Sequence, residues 1–251
     1  APGLMYGDFA RVYDRLMRDV DYPGWADYYA RLLDLAQVPR GGTVAECACG
    51  TGGLTLPLSA MYRMTGVDIS QEMLSVAADK LRAAGRQVPL IRQDMQRLQL
   101  HRAQDAVLCT CDGINYLTGD RALLHFLAAA HAALRPGGAL AFDVSSLYKL
   151  RHTLGGNTLT STEGDVHYIW HNDWAEREKR LRMQLHLYAR GEGDCWAYIE
   201  ERQAQRGYDE QQLTDYLTAA GFESIRIFGD RHMQPPGPQE PRWHVLARKP
   251  L

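Results

Sequence analysis

The feature that most constrains this chain is a glycine-rich loop between two short apolar runs. Residues 43–48 form the first run and lead into Gly50 and Gly52, and the second run ends in Asp68. Glycine lets a ligand approach the backbone where a Cβ would block it, and it tolerates positive φ. An acid at the tip of the next strand is placed to accept hydrogen bonds from two ribose hydroxyls. The pattern therefore predicts an adenosine-containing cofactor across the carboxyl ends of two neighbouring parallel strands.

Strand-like and helix-like segments alternate between residues 43 and 145. The strand candidates are residues 43–48, 64–68, 88–92, 106–111 and 139–144, and the helix candidates are residues 54–61, 71–84 and 121–134. This alternation is typical of a mainly parallel sheet with helices on both faces. The sequence therefore predicts an α/β, Rossmann-like fold around the glycine-rich loop.

The flanking segments have other periodicities. Residues 6–37 carry apolar side chains at helical spacing, whereas residues 157–206 alternate with a period of two, with a turn at residues 191–194. The second pattern predicts an antiparallel sheet with one wet face. A last helix at 210–220 and strands at 224–228 and 242–248 follow. We therefore predict three parts: an N-terminal helical lid (1–40), a Rossmann-like cofactor-binding domain (41–150 and 207–251) and an antiparallel β insert (151–206).

Composition narrows the class of protein. At 251 residues the chain can bury one core plus an accessory subdomain. Its formal net charge of −2 gives no electrostatic reason for nucleic acid to be the main partner. No apolar run approaches the roughly 20 residues that span a bilayer, and residues 1–20 lack a signal-peptide pattern. We therefore expect no membrane association and a small-molecule partner, and the sequence leaves the oligomeric state open.

The five cysteines are odd in number and lie in apolar contexts, which favours a reducing compartment such as the cytoplasm. Four of them form two C-x-C pairs at predicted strand ends, Cys47 with Cys49 and Cys109 with Cys111. Such thiols can in principle bind zinc, but this spacing differs from the usual C-x₂-C knuckle. Small apolar thiols also suit a tightly packed sheet core, so we expect no metal site.

Two features of the loop discriminate between adenosine cofactors. A dinucleotide-binding loop reads G-x-G-x-x-G/A, but here Thr55 occupies the third position. Glu46 lies near the strand end, where its charge would face an approaching pyrophosphate. Both features count against NAD, and a P-loop is excluded because no Gly-Lys-Ser/Thr follows the glycines. An adenosine ligand with a cationic group and no phosphate fits better.

Four segments resemble the motifs of class I S-adenosylmethionine-dependent methyltransferases. They are Glu46-Cys47-Ala48-Cys49-Gly50-Thr51-Gly52, Val67-Asp68-Ile69-Ser70, Gln93-Asp94-Met95 and Leu134-Arg135-Pro136-Gly137-Gly138. The set covers roughly residues 43–144 in the order and spacing that this family uses. Residues 6–14 are further similar to small bacterial methyltransferases of the YqeM-like group. The resemblance implies an enzyme with S-adenosylmethionine as its cofactor and leaves the methyl acceptor unidentified.

The resemblance also implies roles for individual residues in cofactor binding. Gly50 and Gly52 would let the backbone pack against the methionine portion and the ribose, and Asp68 would hold the ribose hydroxyls. Asp94 would accept a hydrogen bond from the adenine amine, with Met95 against the ring. Glu46 and Ile69 belong to the same motifs and are assigned to the cofactor site with them.

Three further residues are candidates for the reaction centre. Asp112, at the tip of the fourth strand, lies where the methionine moiety and the acceptor meet, and we assign it to cofactor binding and catalysis. Tyr6 and Tyr13 share one helical face and would cover the cofactor, because aromatic faces attract cations such as a sulfonium. Tyr13 is the second catalytic candidate. The alternatives are ordinary ones, core packing for the two tyrosines and a helix cap for Asp112.

In methyl transfer by in-line displacement the protein mainly has to position and desolvate the reactants. A general base is needed only when the nucleophile must lose a proton early, and no obvious base stands out, which favours a nitrogen acceptor or an already acidic group. We expect the acceptor pocket between the N-terminal helices and the insert, with walls that include Tyr116, Trp170 and Tyr208. The alternatives are a cofactor-binding regulatory or partner-binding protein without acceptor chemistry and, on fold-level analogy alone, an NAD(P)-dependent oxidoreductase.

Overall fold

The computed structural model describes residues 7–191 and 195–251. Tyr6 and residues 192–194 of the predicted turn lie outside these described residues. In the described ranges no helix is long and apolar enough to cross a membrane.

The predicted N-terminal helical region consists of two helices, α1 (Gly7–Leu16) and α2 (Tyr22–Leu35). The Asp21 side chain caps α2 by accepting a hydrogen bond from the Gly24 amide at 3.0 Å. Pro23 lies in the first turn of α2, where a missing N–H costs least. These start signals explain why the helical pattern of residues 6–37 is divided in two.

The remaining helices are α3 (Thr55–Leu58), α4 (Gln71–Ala83), α5 (Ala122–Ala133) and α6 (Glu210–Ala219). The strands are β1 (Thr43–Cys47), β2 (Arg63–Asp68), β3 (Leu90–Arg92), β4 (Gln104–Cys109), β5 (Leu134–Ser145), β6 (Thr158–Glu163), β7 (Val166–Ala175), β8 (Arg180–Arg190), β9 (Trp196–Arg206), β10 (Glu223–Phe228) and β11 (Arg242–Arg248). Turns of 3₁₀ helix lie at Met95–Arg97 and Gly113–Tyr116, and a π-helical turn lies at Lys149–Leu154.

The main sheet has seven strands in the order β10-β11-β5-β4-β1-β2-β3. Strands β1 to β5 pair in parallel, and β11 joins antiparallel to both β5 and β10. This arrangement confirms the predicted Rossmann-like α/β fold. Since all the parallel strands end at one edge, the loops that follow them meet there, and ligands of such sheets bind at that edge.

Helices cover both faces of the main sheet. Val107 of β4 packs with Phe126 of α5 and Leu217 of α6 in one apolar cluster. The next residue, Leu108, packs with Leu32 of α2 in a second cluster, because neighbouring residues of a strand point to opposite faces. Burying each such side chain stabilises the fold by about 1.5–3 kcal/mol. The two clusters fix the strands, and with them the loops at the carboxyl edge.

Several predicted boundaries differ from the structure by a residue or two, such as β3 at Leu90–Arg92, and three differences bear on the site. β5 begins at Leu134, because that residue pairs with Gln104 of β4 ahead of an irregularity in register. The helix predicted for residues 54–61 is a single turn, α3. The strand predicted for residues 106–111 ends at Cys109, because Cys111 and Asp112 take positive φ values of 56° and 66°, which a strand cannot accommodate. The fourth strand therefore ends in a tight turn at the ligand-binding edge.

The second sheet, in the order β6-β7-β8-β9, confirms the antiparallel insert. Its inner face packs against α1, where Val12 and Leu187 share one apolar cluster. It also packs against the π-helical turn, where Leu150 and Leu181 share another. The insert is therefore attached to the rest of the fold through α1 and the π-helical turn.

Candidate active site

A cavity of about 330 Å³ lies at the edge where the parallel strands end, and we call it the cofactor cavity. Several of the predicted site residues line it: Tyr13 on α1, Glu46 on β1, Gly50 in the glycine-rich loop, and Asp68 and Ile69 at the end of β2. The fold thus brings together residues that the sequence places in three separate segments.

The two predicted glycines occupy different positions in the loop. Both take positive φ, 54° at Gly50 and 73° at Gly52, a region that favours glycine. A Cβ built on Gly50 would meet no atom within 4 Å, so this position opens onto the cofactor cavity. A Cβ on Gly52 would lie 3.1 Å from the Cβ of Ala77 on α4. Gly50 therefore leaves space for a ligand, whereas Gly52 lets the loop pack closely against a helix.

The carboxylate of Asp68 is held in place by the backbone on either side. Its Oδ2 accepts a hydrogen bond from the Gly50 amide at 2.8 Å, and its Oδ1 accepts one from the Ser70 amide at 2.9 Å. Each carboxylate oxygen has a second lone pair to offer. Beside it, Ile69 is 65% exposed, so its side chain is available to cover a bound ring.

Glu46 is a buried acid at the wall of the cofactor cavity. Its Oε2 accepts a hydrogen bond from Thr55 Oγ1 at 2.5 Å, and its Oε1 accepts one from Thr110 Oγ1 at 3.2 Å. Burial raises the pKa of Glu46 to about 7, even though both hydrogen bonds favour the ionised form. Thr55, which replaces the third small residue of a dinucleotide loop, thus has a positive role as a partner of this carboxyl group.

The lining of the cofactor cavity indicates the charge of its ligand. Glu46 and Asp68 line it together with the rings of Tyr13 and Tyr22, and none of its described lining residues is Lys, Arg or His. A phosphate would meet uncompensated negative charge there, whereas a sulfonium or ammonium group would be attracted to the carboxylates and the aromatic faces. The residues present therefore fit S-adenosylmethionine and fit NAD poorly.

Asp94 and Met95 lie beside the cofactor cavity, and neither is among its lining residues. Asp94 begins the 3₁₀ turn, and its Oδ1 accepts a hydrogen bond from the Gln96 amide at 2.9 Å. The sulfur of Met95 lies 3.8 Å from that of Cys109. The preceding residue, Gln93, donates its amide to the Asp68 carbonyl at 3.0 Å. The structure therefore brings this motif to the same edge of the sheet as Asp68 without placing it in the cavity wall.

A second cavity, of about 640 Å³, lies between α1, the edge of the main sheet and the inner face of the insert. We call it the acceptor cavity. The two cavities share four lining residues: Tyr13, Cys111, Tyr116 and Gln203. At this junction the Tyr116 hydroxyl donates a hydrogen bond to Gln203 Oε1 at 3.2 Å.

Two of the three predicted wall residues, Tyr116 and Trp170, line the acceptor cavity. The prediction for Tyr208 is wrong, because its side chain is 1% exposed and belongs to the main apolar core. Its hydroxyl donates a hydrogen bond to the Leu117 carbonyl at 2.9 Å. Tyr208 therefore anchors the chain where it returns from the insert to α6.

Asp112 lines the acceptor cavity and is not among the residues that line the cofactor cavity. Its Oδ1 accepts hydrogen bonds from Arg242 Nη1 at 2.5 Å and from Ser145 Oγ at 2.8 Å. Arg242 also pairs with the buried Asp143 and lies over the ring of Trp25, 5.1 Å from its centroid. Ion pairs of Arg242 with Asp112 and Asp143 therefore hold the turn at Asp112 in place.

This network sets the charge states of its members. Burial acts to raise the pKa of Asp112, but the charges of Arg242 and Lys149 outweigh it and the pKa is lowered. Burial raises the pKa of Asp143 despite the neighbouring guanidinium. Burial disfavours the charged form of Lys149 as well, which lowers its pKa. The Nζ of Lys149 donates a hydrogen bond to Ser145 Oγ at 3.1 Å. Asp112 is thus an ionised acid with its oxygens engaged.

Arg242 and Lys149 are site residues that the sequence analysis missed. Arg242 begins β11, where it pairs with Ser145 of β5, and it is 130 positions away from Asp112 along the chain. Lys149 lies on the π-helical turn. A pairing between strands so far apart leaves no local pattern in the sequence.

In the part of the chain that the structure describes, no group of three or more His, Cys, Asp or Glu side chains is placed to hold a metal ion. Cys47 and Cys109 are register neighbours on β1 and β4, and both are fully buried. Burial raises the pKa of each thiol. These two cysteines therefore pack the sheet as small apolar side chains.

The sequence of this chain is similar to those of known methyltransferases. Residues 44–138 match the methyltransferase domain family. YqeM of Bacillus subtilis, a protein provisionally named a methyltransferase, is 28% identical over 248 residues, which cover 98% of each chain. UbiE of Azotobacter vinelandii, a ubiquinone/menaquinone biosynthesis C-methyltransferase, is 30% identical over 228 residues, which cover 88% of this chain and 81% of its own. The chain belongs to the class I S-adenosylmethionine-dependent methyltransferases.

The likeness to one solved structure covers nearly the whole chain. The crystal structure of a S-adenosylmethionine-dependent methyltransferase from Clostridium acetobutylicum superimposes with a TM-score of 0.88 at 29% identity, covering 99% of this chain and 100% of the other. The predicted family, its enzymatic nature and S-adenosylmethionine as the cofactor are thereby confirmed. A cofactor-binding protein without its own acceptor chemistry is not favoured.

Proposed function

We propose that this methyltransferase acts on a small molecule bound in the acceptor cavity. The observation that carries the proposal is the junction, where Tyr13, Cys111, Tyr116 and Gln203 line both cavities. Bound S-adenosylmethionine supplies an electrophilic methyl group on a sulfonium. The residues of the junction orient an acceptor toward the cofactor cavity and exclude water from between them.

The size and cover of the acceptor cavity support a small acceptor. Its volume of about 640 Å³ lies within the range of about 300–1,000 Å³ typical of small-molecule sites. Helix α1 and the insert enclose it, and the wall includes Trp170 and Tyr168 from β7. RNA is a poor candidate, because the carboxylates of Asp19, Glu163 and Glu201 also line the cavity and would repel phosphates.

The cofactor roles that we propose follow the positions of the side chains. Asp68 would accept hydrogen bonds from the ribose hydroxyls with its remaining lone pairs. Glu46 would face the cationic end of the cofactor, and the ring of Tyr13 would attract the sulfonium. The adenine contacts predicted for Asp94 and Met95, and the aromatic cover predicted for Tyr6, stay predictions.

For the reaction step we propose that Tyr13 and Asp112 position the reactants. Burial raises the pKa of Tyr13 far above neutrality, so its hydroxyl is not a base. Asp112 is ionised, but its oxygens are engaged by Arg242 and Ser145. It holds Cys111 and the junction in place.

Replacing Asp68 tests the cofactor half of the proposal. In Asp68→Ala we expect the Kd for S-adenosylhomocysteine to rise by at least about tenfold, because charged hydrogen bonds of this kind contribute about 1.5–3 kcal/mol each. Calorimetry measures the change. The matched control is Asp79→Ala, an exposed acid on α4 that pairs with Arg82. An unchanged Kd in a folded Asp68→Ala protein would refute the ribose assignment.

Labelled methyl transfer tests the acceptor half. The enzyme is incubated with radiolabelled S-adenosylmethionine and either a desalted metabolite extract or total RNA and protein. After chromatography we expect the label in a small molecule distinct from S-adenosylmethionine and its breakdown products, and only when the enzyme is present. Label confined to RNA or protein would overturn the proposal of a small acceptor.

A further inference from the structure

Acidic side chains outnumber basic ones in the lining of the acceptor cavity. Its three basic side chains are already engaged, since Arg242 pairs with Asp112, Arg231 pairs with Asp21 at 3.4 Å, and Lys149 donates to Ser145. Three carboxylates of the lining, Asp19, Glu163 and Glu201, have no hydrogen bond or ion pair within the described ranges. The cavity therefore carries negative charge that the protein itself does not neutralise.

Glu201 is distinct among these three acids. Asp19 and Glu163 are exposed, whereas Glu201 is half-buried on the inner face of the insert. Within the described ranges its carboxylate has no hydrogen-bond or ion-pair partner, and burial raises the pKa of Glu201. A polar group left partly desolvated without a partner costs free energy that a ligand of opposite charge can recover.

Glu201 shares the inner face of the insert with an aromatic ring and with a residue of the junction between the two cavities. Across the sheet, Glu201 of β9 is opposite Leu185 of β8, which is opposite Trp170 of β7. Along β9, the next residue on the same face is Gln203, which lines both cavities. Successive residues on one face of a strand are about 7 Å apart. A group held at Glu201 would thus keep the rest of a small acceptor within reach of the junction.

From this arrangement we infer that the acceptor carries an ammonium group and that Glu201 binds it. An unpartnered carboxylate attracts a cation through its charge, and Trp170, two strands away on the same wall of the cavity, offers an aromatic face to the rest of such a ligand. A carboxylate or phosphate ligand would meet three uncompensated acids. The inference rests on the proposed function, because it assumes that the acceptor occupies this cavity.

The first test compares probes that differ in charge. Binding to the complex with S-adenosylhomocysteine is measured by calorimetry for 2-phenylethylamine, 2-phenylethanol and phenylacetate, and for cyclohexylmethylamine with its alcohol and carboxylate counterparts. We expect each amine to bind at least about tenfold more tightly than its counterparts. Equal or tighter binding of the alcohols or carboxylates, or no binding of either amine, would overturn the inference.

The second test uses neighbouring residues on opposite faces of one strand. Glu201→Gln should weaken amine binding by about tenfold while the Kd for S-adenosylhomocysteine stays the same. The control, Glu200→Gln, alters an outward carboxylate that pairs with Arg202, and it should leave amine binding unchanged. An unaltered amine Kd in Glu201→Gln would overturn the inference and leave the proposed function standing. Failure of the unaltered enzyme to bind S-adenosylhomocysteine would instead overturn both.

Discussion

Glu46 is a buried acid whose ionisation is opposed by burial and is favoured by a cation in the cofactor cavity. A fully buried carboxyl group with two hydroxyl donors still has its pKa raised to about 7, because burial outweighs the hydrogen bonds. The nearby carboxylate of Asp68 adds to the shift. A cation bound in the cofactor cavity would favour the ionised form of Glu46, so ligand binding and ionisation should be linked.

We therefore predict that the affinity for S-adenosylmethionine rises with pH. With a pKa of about 7, Glu46 is mostly protonated at about pH 6 and mostly ionised at about pH 8, and only the ionised form attracts the sulfonium. The Kd measured by calorimetry should fall several-fold over that interval. In Glu46→Gln the pH dependence should be largely lost. If the variant keeps the full pH dependence, another group is responsible.

The turn at Cys111 and Asp112 is a second example at this scale. Two consecutive residues other than glycine take positive φ, a conformation that costs on the order of 1 kcal/mol or more for each. The Asp112 amide donates to Asp143 at 3.1 Å, and the Asp112 carboxylate is bound by Arg242. The buried ion pairs offset the strain, and the turn lies at the junction of the two cavities.

Among the elements, α1 connects the parts of the active site. Asp14 Oδ1 accepts hydrogen bonds from Thr51 Oγ1 of the glycine-rich loop at 2.7 Å and from Lys80 Nζ of α4 at 2.6 Å. On the same helix, Val12 and Leu16 pack against the insert. Helix α1 is therefore fastened to the cofactor-binding part through charge and to the insert through apolar contact, and its role as a lid stays a prediction.

We predict that Asp14→Ala loosens this lid. Loss of the partly exposed contacts to Thr51 and Lys80 should raise the dissociation rate of S-adenosylhomocysteine by about tenfold or less, because such contacts contribute about 1 kcal/mol together. Stopped-flow tryptophan fluorescence measures the rate. The control is Arg11→Ala, also on α1, which removes an exposed ion pair with Asp79 of α4. Equal rates in both variants would show that Asp14 does not hold the lid.

The same elements show what the sequence could reveal. Gly50, Asp68 and Glu46 follow apolar runs directly, so their place at the sheet edge can be predicted from local pattern. The walls of the acceptor cavity depend on contacts between distant segments. Arg242 reaches Asp112 only because β11 pairs with β5. Tyr208 is an aromatic residue of the type that often lines a cavity, but it lies in the core, where its hydroxyl donates a hydrogen bond to the Leu117 carbonyl. Periodicity predicts elements, and it does not predict how distant ones pair.

In the whole molecule, the same residues form part of the wall of the cofactor cavity and of the acceptor cavity. Tyr13 of α1 and Gln203 of the insert each line both cavities, so ordering either element for one ligand also prepares the wall for the other. Such coupling predicts positive cooperativity, because either ligand, once bound, leaves the other a chamber with less freedom to lose.

Hydrogen exchange with and without S-adenosylhomocysteine tests this coupling. A ligand in the cofactor cavity suppresses local opening of the elements that line it, so exchange should slow by at least about tenfold in the glycine-rich loop, in α1 and in β9. Helix α6, which packs on the far core with Leu213 and Leu217, should change little. In Asp14→Ala the loop should remain protected while α1 and β9 lose most of the effect. Uniform protection that includes α6 would show global stabilisation in place of local ordering, and protection of α1 that survives the substitution would show that Asp14 does not link α1 to the cofactor cavity. Either outcome would contradict the proposed coupling.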